Sequence, residues 1–299
     1  MDIANNILPL FLIFGVGFAS KRLGFLTKEN ADLFLKLFFY LVLPAVVLLS
    51  ISRVPLTLEL ISLPLLAIGM FLLSFTCASL TCRFFRLKPA SLGVFLIGSI
   101  ILNGSFVYPF VYVMYGEKGM AIAYLFDFGN AIIAFSFAYY LACRYGSSGK
   151  TQTNLYKKFL LSPPLLALSV AVMINLSGLK IPSAGQELLK IMGGMTTPLI
   201  MLSLGIYFSP RIVKPGPLLT VILIRMLGGL IFGYLLVSVF GLSGVNKTIT
   251  LIMAVSPSAM NTLIYASMEG LDKEFAASII SYTTVISMVL ISVLIFILH

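Results

Sequence analysis

The chain has 299 residues, of which 60% are hydrophobic and only 10% are charged. Soluble domains carry about 25% charged residues, so a chain of this composition cannot cover its surface with polar groups in water. The composition predicts an integral membrane protein in a lipid bilayer and excludes a soluble enzyme, a secreted disulfide-bonded domain and a disordered chain. The formal net charge of +10 is then expected in loops at the membrane surface, and it implies no nucleic-acid partner.

Taken in order along the chain, ten segments are long and apolar enough for membrane-spanning helices, which need about 20 residues each. They cover residues 3–20, 33–52, 60–82, 90–115, 119–143, 159–179, 187–208, 216–240, 248–268 and 274–298. The most polar connection, residues 144–158, lies between the fifth and the sixth segment. The pattern predicts an all-α polytopic membrane protein.

The positive charges are distributed unevenly among the connections. If the N-terminus is outside, thirteen of the 20 Lys and Arg residues fall in cytoplasmic loops and four fall in outer loops. Membrane proteins carry an excess of Lys and Arg in their cytoplasmic loops. The sequence therefore predicts a multi-pass protein of the cell membrane with both termini outside.

Comparison of the sequence with itself at an offset of 154 residues indicates an internal repeat. The identical pairs are Pro9 with Pro163, Lys36 with Lys190, Pro44 with Pro198, and Gly116 with Gly270. The offset divides ten spans into five plus five, and an odd number of spans per half gives the halves opposite orientations, as in many secondary transporters. We predict a first repeat at residues 1–145, a cytoplasmic linker at 146–158 and a second, inverted repeat at 159–299.

The fourth and the ninth segment correspond between the halves, and both are interrupted in the middle by residues that disfavour a helix. Proline removes a backbone donor, whereas Asn and Ser can satisfy freed backbone groups. Irregular backbone within a membrane is tolerated only where it is buried in protein or lines a cavity. Alternatively, each proline only kinks a packed helix. The predicted substrate and crossover residues are Asn103, Gly104, Ser105, Pro109, Ser256, Pro257, Ser258 and Asn261.

Two ionisable side chains lie inside predicted spans. Asp127, with Asn130 three residues later on the same helix face, is predicted as a proton or cation site or as a structural counter-ion of Arg225. Arg225 can bind a carboxylate substrate, pair with Asp127 or extend toward the headgroups. Residues that can line a cavity, or can equally be ordinary helix–helix hydrogen-bond partners, are Thr196, Thr197, Tyr282 and Thr283.

The sequence predicts no metal site and no resident cofactor. The one histidine is the last residue, and the three cysteines form no paired pattern. No nucleotide-binding motif of the P-loop type occurs, so we expect a driving force from a proton or sodium gradient or from the substrate's own gradient.

The two interrupted segments resemble the signatures of the auxin efflux carrier family. Residues 103–109 read Asn-Gly-Ser-Phe-Val-Tyr-Pro, with Ser105 in place of the usual glycine, and residues 254–261 read Ala-Val-Ser-Pro-Ser-Ala-Met-Asn. That family includes plant PIN-type auxin exporters and bacterial malonate or malate permease-like carriers. The resemblance covers the whole chain and implies a sodium/proton-antiporter-like fold with crossing broken helices, scaffold and transport domains, elevator motion, a carboxylate-bearing substrate and a homodimer.

We therefore expect a secondary transporter of small organic anions such as mono- or dicarboxylates or auxin-like acids. A sodium-coupled bile-acid-type symporter or a cation/proton antiporter is the nearest alternative, although an antiporter is expected to have paired intramembrane carboxylates and the sequence places no second one beside Asp127. An intramembrane enzyme is disfavoured, because the chain lacks the residue pairs that such enzymes need. A membrane sensor or scaffold is the remaining alternative.

Overall fold

A computed structural model of the chain describes residues 3–52, 58–147, 163–208 and 211–298. These residues form helices and short connections but no strand, and two of them, Leu102 and Ser258, form an isolated antiparallel bridge. Six helical stretches in this part of the chain are long and apolar enough to cross a membrane. They are Lys28–Leu49, Ser62–Phe84, Gly119–Tyr145, Ser183–Tyr207, Pro215–Val239 and Lys273–Leu298. The protein is therefore an all-helical polytopic membrane protein in the part described.

The α-helices follow the order of the predicted spans. Those of the first half are α1 (Ile3–Arg22), α2 (Lys28–Leu37), α3 (Leu43–Ile51), α4 (Leu58–Thr81), α5 (Pro89–Ile100), α6 (Gly104–Ile133) and α7 (Tyr139–Tyr145). Those of the second half are α8 (Pro163–Ser177), α9 (Ser183–Gly194), α10 (Thr196–Tyr207), α11 (Pro215–Leu223), α12 (Gly229–Val239), α13 (Gly244–Ala254), α14 (Asn261–Glu269) and α15 (Lys273–Leu298). Turns of π-helix join α2 to α3 (Phe38–Val42), α6 to α7 (Ala134–Ala138) and α11 to α12 (Ile224–Gly228).

Helix α6 reverses direction at Gly116, whose φ of 59° lies in the left-handed region that favours glycine. The rings of Tyr108 and Tyr124 stand edge to face with their centroids 4.6 Å apart. In a continuous helix, the intervening residues would separate them by about 24 Å. The fourth and the fifth predicted span are thus two neighbouring stretches of chain that meet at Gly116.

The chain divides into two compact units. The first comprises Met1–Thr57, Tyr108–Tyr124 and Tyr156–Tyr207, and the second comprises Leu58–Val107, Leu125–Leu155 and Phe208–His299. In the first unit, α1 and α10 approach so closely that a Cβ on Gly17 would collide with the Leu202 carbonyl and one on Gly205 with the Phe14 carbonyl. Small residues that allow backbones to touch are typical of helix packing in membranes.

Apolar side chains on the surface and polar side chains in the interior are distributed as expected for a membrane protein. Large apolar side chains such as Leu72, Tyr234 and Phe296 are exposed. Buried polar side chains, mainly Ser, Thr and Asn, are concentrated in the second unit, on α5, α13, α14 and α15 and in the connections before α6 and α14. Hydrogen-bonding side chains inside a helix bundle are expected at helix–helix contacts or functional sites.

The ten spans and the five-plus-five division remain predictions beyond the six stretches named above. The boundaries of the two repeats likewise remain predictions. Most of the predicted linker at 146–158 lies outside the described residues, which stop at 147 and resume at 163.

Candidate functional site

The fourth and the ninth predicted span are both broken within the second unit. Helix α5 ends at Ile100 and α6 begins at Gly104, while α13 ends at Ala254 and α14 begins at Asn261. Asn103 caps the start of α6, because its Oδ1 accepts a hydrogen bond of 3.2 Å from the Phe106 N–H. Asn103 thus both ends the extended stretch and starts the next helix. The interruptions expected from the sequence are present at the expected positions.

The two breaks pair with each other. The Asn103 N–H donates to the Pro257 carbonyl at 2.9 Å, and the Ala259 N–H donates to the Ile101 carbonyl at 3.1 Å. Leu102 and Ser258 therefore lie opposite each other in one antiparallel bridge. A proline can occupy position 257 because only its carbonyl, and not an N–H, is needed in the pairing. We call residues 101–103 and 255–260 together the crossover.

The polar side chain of Asn130 completes the first break. Its Nδ2 donates to the Leu102 carbonyl at 2.9 Å and its Oδ1 accepts from the Leu102 N–H at 3.1 Å. The backbone N–H and carbonyl groups of Leu102 are not used in the bridge to Ser258. The Asn130 amide satisfies both of them, as a neighbouring strand would in a sheet. The same Nδ2 donates to Asp127 Oδ1 at 2.7 Å. Asn130 thus connects the Asp127 carboxyl group to the crossover.

Asp127 lies directly over the start of α6. A Cβ on Gly104 would collide with its carboxyl group. Glycine at position 104 thus leaves the space that the Asp127 side chain occupies. The two residues were predicted from separate features of the sequence, and the structure brings them into contact.

The second break is held by side chains from α15 and from the turn between α11 and α12. The Ser258 N–H donates to Thr283 Oγ1 at 3.2 Å, and Ser287 Oγ donates to the Val255 carbonyl at 2.7 Å. Arg225 Nη2 donates to the Ser256 carbonyl at 2.7 Å. The charged side chain of Arg225 is thus directed at a carbonyl oxygen of the crossover.

Several polar atoms of the crossover and of the helices α14 and α15 are buried without a hydrogen-bond partner among the described residues: Asn103 Nδ2, Ser256 Oγ, Thr262 Oγ1 and Thr284 Oγ1. Buried polar groups are almost always satisfied by protein, water or ligand. This set offers an amide donor and three hydroxyl groups that can donate or accept. Such groups are suited to a small polar ligand or to ordered water.

The remaining predicted site residues are distributed over both units. Ser105 follows Gly104 in α6, Asn261 begins α14 and Tyr282 precedes Thr283 in α15; Ser105, Asn261 and Tyr282 are half-buried. Pro109, Thr196 and Thr197 belong to the first unit. Their assignment to a substrate site or cavity stays a prediction. Within the described residues, no group of three or more His, Cys, Asp or Glu side chains could hold a metal ion.

Sequence reasoning missed three groups at the crossover. The Gly98 carbonyl accepts from Ser258 Oγ at 2.6 Å, but backbone acceptors leave no sequence signal. Leu102 is an ordinary apolar residue in the sequence, and its contacts with Asn130 are made by its backbone N–H and carbonyl groups. Ser287 could have been found, because it lies four residues after Thr283 and therefore on the same face of α15.

A second polar cluster, also missed, joins the starts of α5, α11 and α15. Asp272 Oδ2 accepts from Lys214 Nζ and from Ser91 Oγ, each at 2.7 Å, and Asp272 Oδ1 accepts from the Phe275 N–H at 3.1 Å. Burial opposes the charged form of Asp272, but these hydrogen bonds and the Lys214 charge hold its pKa below the ordinary value. Lys214 itself has a φ of 53°, an unusual conformation outside glycine.

Comparisons with known proteins cover nearly the whole chain. A family model described as "Membrane transport protein" matches residues 2–295. An uncharacterized transporter of Methanocaldococcus jannaschii is 29% identical over 302 residues, which cover 98% of this chain and 96% of that protein. An uncharacterized transporter of Methanothermobacter thermautotrophicus is 26% identical over 294 residues, which cover 97% of this chain and 96% of that protein.

Proposed function

Because this chain belongs to the membrane transport protein family, the auxin efflux carrier-like family that its broken segments resemble, we propose that it is a secondary transporter of small organic anions. The substrates are mono- or dicarboxylates or auxin-like acids. Transport occurs by alternating access around the crossover, with elevator motion and in a homodimer, as the resemblance implies.

The observation that carries this proposal is the pairing of two broken helices around unpartnered polar groups. Helices α6 and α14 both begin at the crossover, and helix N-termini carry partial positive charge that favours anions. The buried Asn103 Nδ2 supplies a hydrogen-bond donor beside them. A carboxylate needs donors of this kind, and broken helices near the middle of a membrane protein are a common form of transporter binding site.

The arrangement of the helices supports a repeat of five plus five spans. Gly116 and Gly270, which coincide at the offset of 154 residues, both have positive φ, at 59° and 72°. The first unit contains α1 to α3, their counterparts α8 to α10 and part of α6, whereas the second contains both breaks. Each unit therefore draws corresponding spans from each half, as expected if the second unit is the transport domain and the first the scaffold.

The contact between Asp127 and Asn130 favours coupling to a proton or a sodium ion. A carboxyl group in a membrane span is costly and therefore usually functional, and this one is connected to the Leu102 backbone through Asn130. A cation-coupled symporter or antiporter is thus the second candidate.

We expect Asp127→Asn to change the dependence of transport on pH or sodium more than the choice of substrate. An unchanged dependence on pH and sodium would remove the coupling role.

The test is uptake by purified protein in proteoliposomes. The panel contains malonate, malate, other dicarboxylates and indole-3-acetate, each with and without imposed proton and sodium gradients. We expect uptake of at least one anion above that of protein-free liposomes. Failure of every anion under every gradient would contradict the proposal.

Variants of the crossover test its location. Asn103→Ala and Asn261→Ala are expected to abolish transport of the anion found in the panel while leaving insertion into the membrane intact. Ser136→Ala is the control, because Ser136 is exposed and its hydroxyl group donates to the Ile132 carbonyl of its own helical turn. Normal uptake kinetics in both asparagine variants would place the substrate site elsewhere.

A further inference from the structure

Arg225 is a charge enclosed within the second unit. It is the largest fully buried side chain among the described residues, at 1% exposure. It lies in the π-helical turn Ile224–Gly228 between α11 and α12. Such turns interrupt regular hydrogen bonding and occur frequently at functional sites. Arg225 therefore does not extend to the headgroups, which was one of the alternatives open from the sequence.

A buried charge is usually compensated by an ion pair and a full set of hydrogen bonds, and the surroundings of Arg225 do not provide these. Its hydrogen bond goes to the Ser256 carbonyl, and its Nε has no hydrogen-bond partner in the described part of the chain. The ion pair found among those residues joins Lys214 to Asp272, in the separate cluster. An arginine keeps its charge in such a place. Within the described ranges, a full positive charge therefore adjoins the crossover without a carboxylate bound to it.

The position of this charge relative to the helix ends gives it an electrostatic consequence. Helix α13 ends at Ala254, and the C-terminal end of a helix carries partial negative charge. Arg225 opposes that charge at Ser256, two residues later. The positive N-terminal end of α14 at the crossover is then not balanced by the negative end of α13, whereas the N-terminal end of α6 adjoins the carboxyl group of Asp127.

The first break, between α5 and α6, is held by different groups. There the end of α5 is followed by Leu102, which is held by the neutral amide of Asn130, and Asn130 is bonded to Asp127. The second break is therefore held by the guanidinium group of Arg225. The first is held by the Asn130 amide, which is hydrogen-bonded to the Asp127 carboxyl group. The asymmetry does not follow from the repeat, since the residue that precedes Arg225 by the offset of 154 is the apolar Phe71.

We propose that Arg225 is a positioning residue that holds the Ser256 carbonyl and supplies the fixed positive charge by which the crossover selects anions. This inference rests on the proposed function and deepens it, because it assigns the preference for anions to one residue that need not touch the substrate. A neutral residue at position 225 removes the charge, whereas lysine retains it.

The test measures the electrostatic potential at the crossover without requiring a known substrate. In a background with Cys77, Cys82 and Cys143 replaced by alanine, a reporter cysteine is introduced as Asn261→Cys or, separately, as Ser105→Cys, both at half-buried positions where α14 and α6 begin. The probes are an anionic sulfonatoethyl and a cationic trimethylammonioethyl methanethiosulfonate. The reaction rate of each probe with the reporter cysteine is divided by its rate with free cysteine, which corrects for the different intrinsic reactivity of the two probes.

We expect the anionic probe to react at least about tenfold faster than the cationic one with the Asn261→Cys reporter when Arg225 is present. Arg225→Gln should reduce this preference to near unity, and Arg225→Lys should keep most of it. A purely structural role predicts the same ratio in both variants. Each variant is first checked for folding by its thermal unfolding midpoint in detergent.

Three outcomes overturn the proposal. A preference for the cationic probe with Arg225 present contradicts it even if Arg225→Gln does not fold. An unchanged ratio in folded Arg225→Gln contradicts it as well. If neither reporter reacts in the folded protein, ions do not reach the crossover and the proposal is wrong. Failure of the transport panel with the expected probe ratios would instead reject the proposed function and leave the charge assignment intact.

Discussion

At the scale of single residues, Asn130 is the side chain on which the first break depends most. Its amide bonds both backbone groups of Leu102, at 2.9 and 3.1 Å, in a buried place. Asn130→Ala leaves a buried donor and a buried acceptor unsatisfied, and each costs about 1–3 kcal/mol. We expect the thermal unfolding midpoint in detergent to fall by several degrees. The exposed Ser136→Ala variant should change it little, and equal midpoints for the two variants would contradict the contact.

The sequence predicts such residues unequally well. Asn103 and Pro257 were predictable, because residues that disfavour a helix are conspicuous in a long apolar segment. Asn130 was predictable as the neighbour of Asp127 through helical spacing. The acceptor of Arg225 was not predictable, since a contact with a backbone carbonyl depends on how distant helices pack and leaves no pattern in the sequence.

At the scale of helices, the contact between α1 and α10 depends on glycine. A Cβ on Gly17 would collide with backbone atoms of Leu202, which cannot rotate away as a side chain can. Gly17→Ala is therefore expected to destabilise the first unit by about 1–3 kcal/mol, the usual cost of overpacking. The thermal unfolding midpoint measures this change.

Gly15 provides a matched control in the same helix. A Cβ there would meet nothing within 4 Å, so Gly15→Ala is expected to leave the unfolding midpoint unchanged or to raise it slightly, since alanine favours the helix. If both alanine variants unfold at the same temperature, α1 and α10 do not approach as closely as described.

The cluster that joins the starts of α5, α11 and α15 should make stability depend on pH. Against the opposing effect of burial, hydrogen bonds from Lys214 and Ser91 hold the pKa of Asp272 below its ordinary value, so the folded state favours the carboxylate more than the unfolded chain does. The resulting stabilisation is complete above pH about 4, the ordinary pKa of Asp, and is lost as the pH falls through the lower pKa of the folded state.

We expect Asp272→Asn to lower the unfolding midpoint at neutral pH, and we expect the difference between the two proteins to shrink as the pH falls below about 4. A difference that stays constant over this range would show that the charge of Asp272 does not stabilise the fold. The cluster was missed in the sequence because charged residues between spans are ordinary features of membrane protein loops.

At the scale of the whole molecule, the sequence predicts the six apolar stretches found among the described residues, because hydrophobic length is a local property. It does not predict that the division into compact units crosses the division into the two predicted repeats. Helix α6 contributes residues to both units, and this assignment depends on contacts between segments that are far apart in the sequence. The predicted repeats and the observed units are thus two different divisions of the same chain.

The orientation in the membrane that the charge distribution predicts can be tested directly. Thirteen Lys and Arg residues lie on the predicted cytoplasmic side and four on the outer side, which predicts an external Lys180 and an internal Arg86. Both residues are exposed in the structure. In the cysteine-free background and in right-side-out vesicles, we expect a membrane-impermeant maleimide to label Lys180→Cys at once and Arg86→Cys only after the membrane is permeabilised. The opposite pattern would reverse the topology, and equal labelling of both positions in sealed vesicles would exclude an odd number of spans between them.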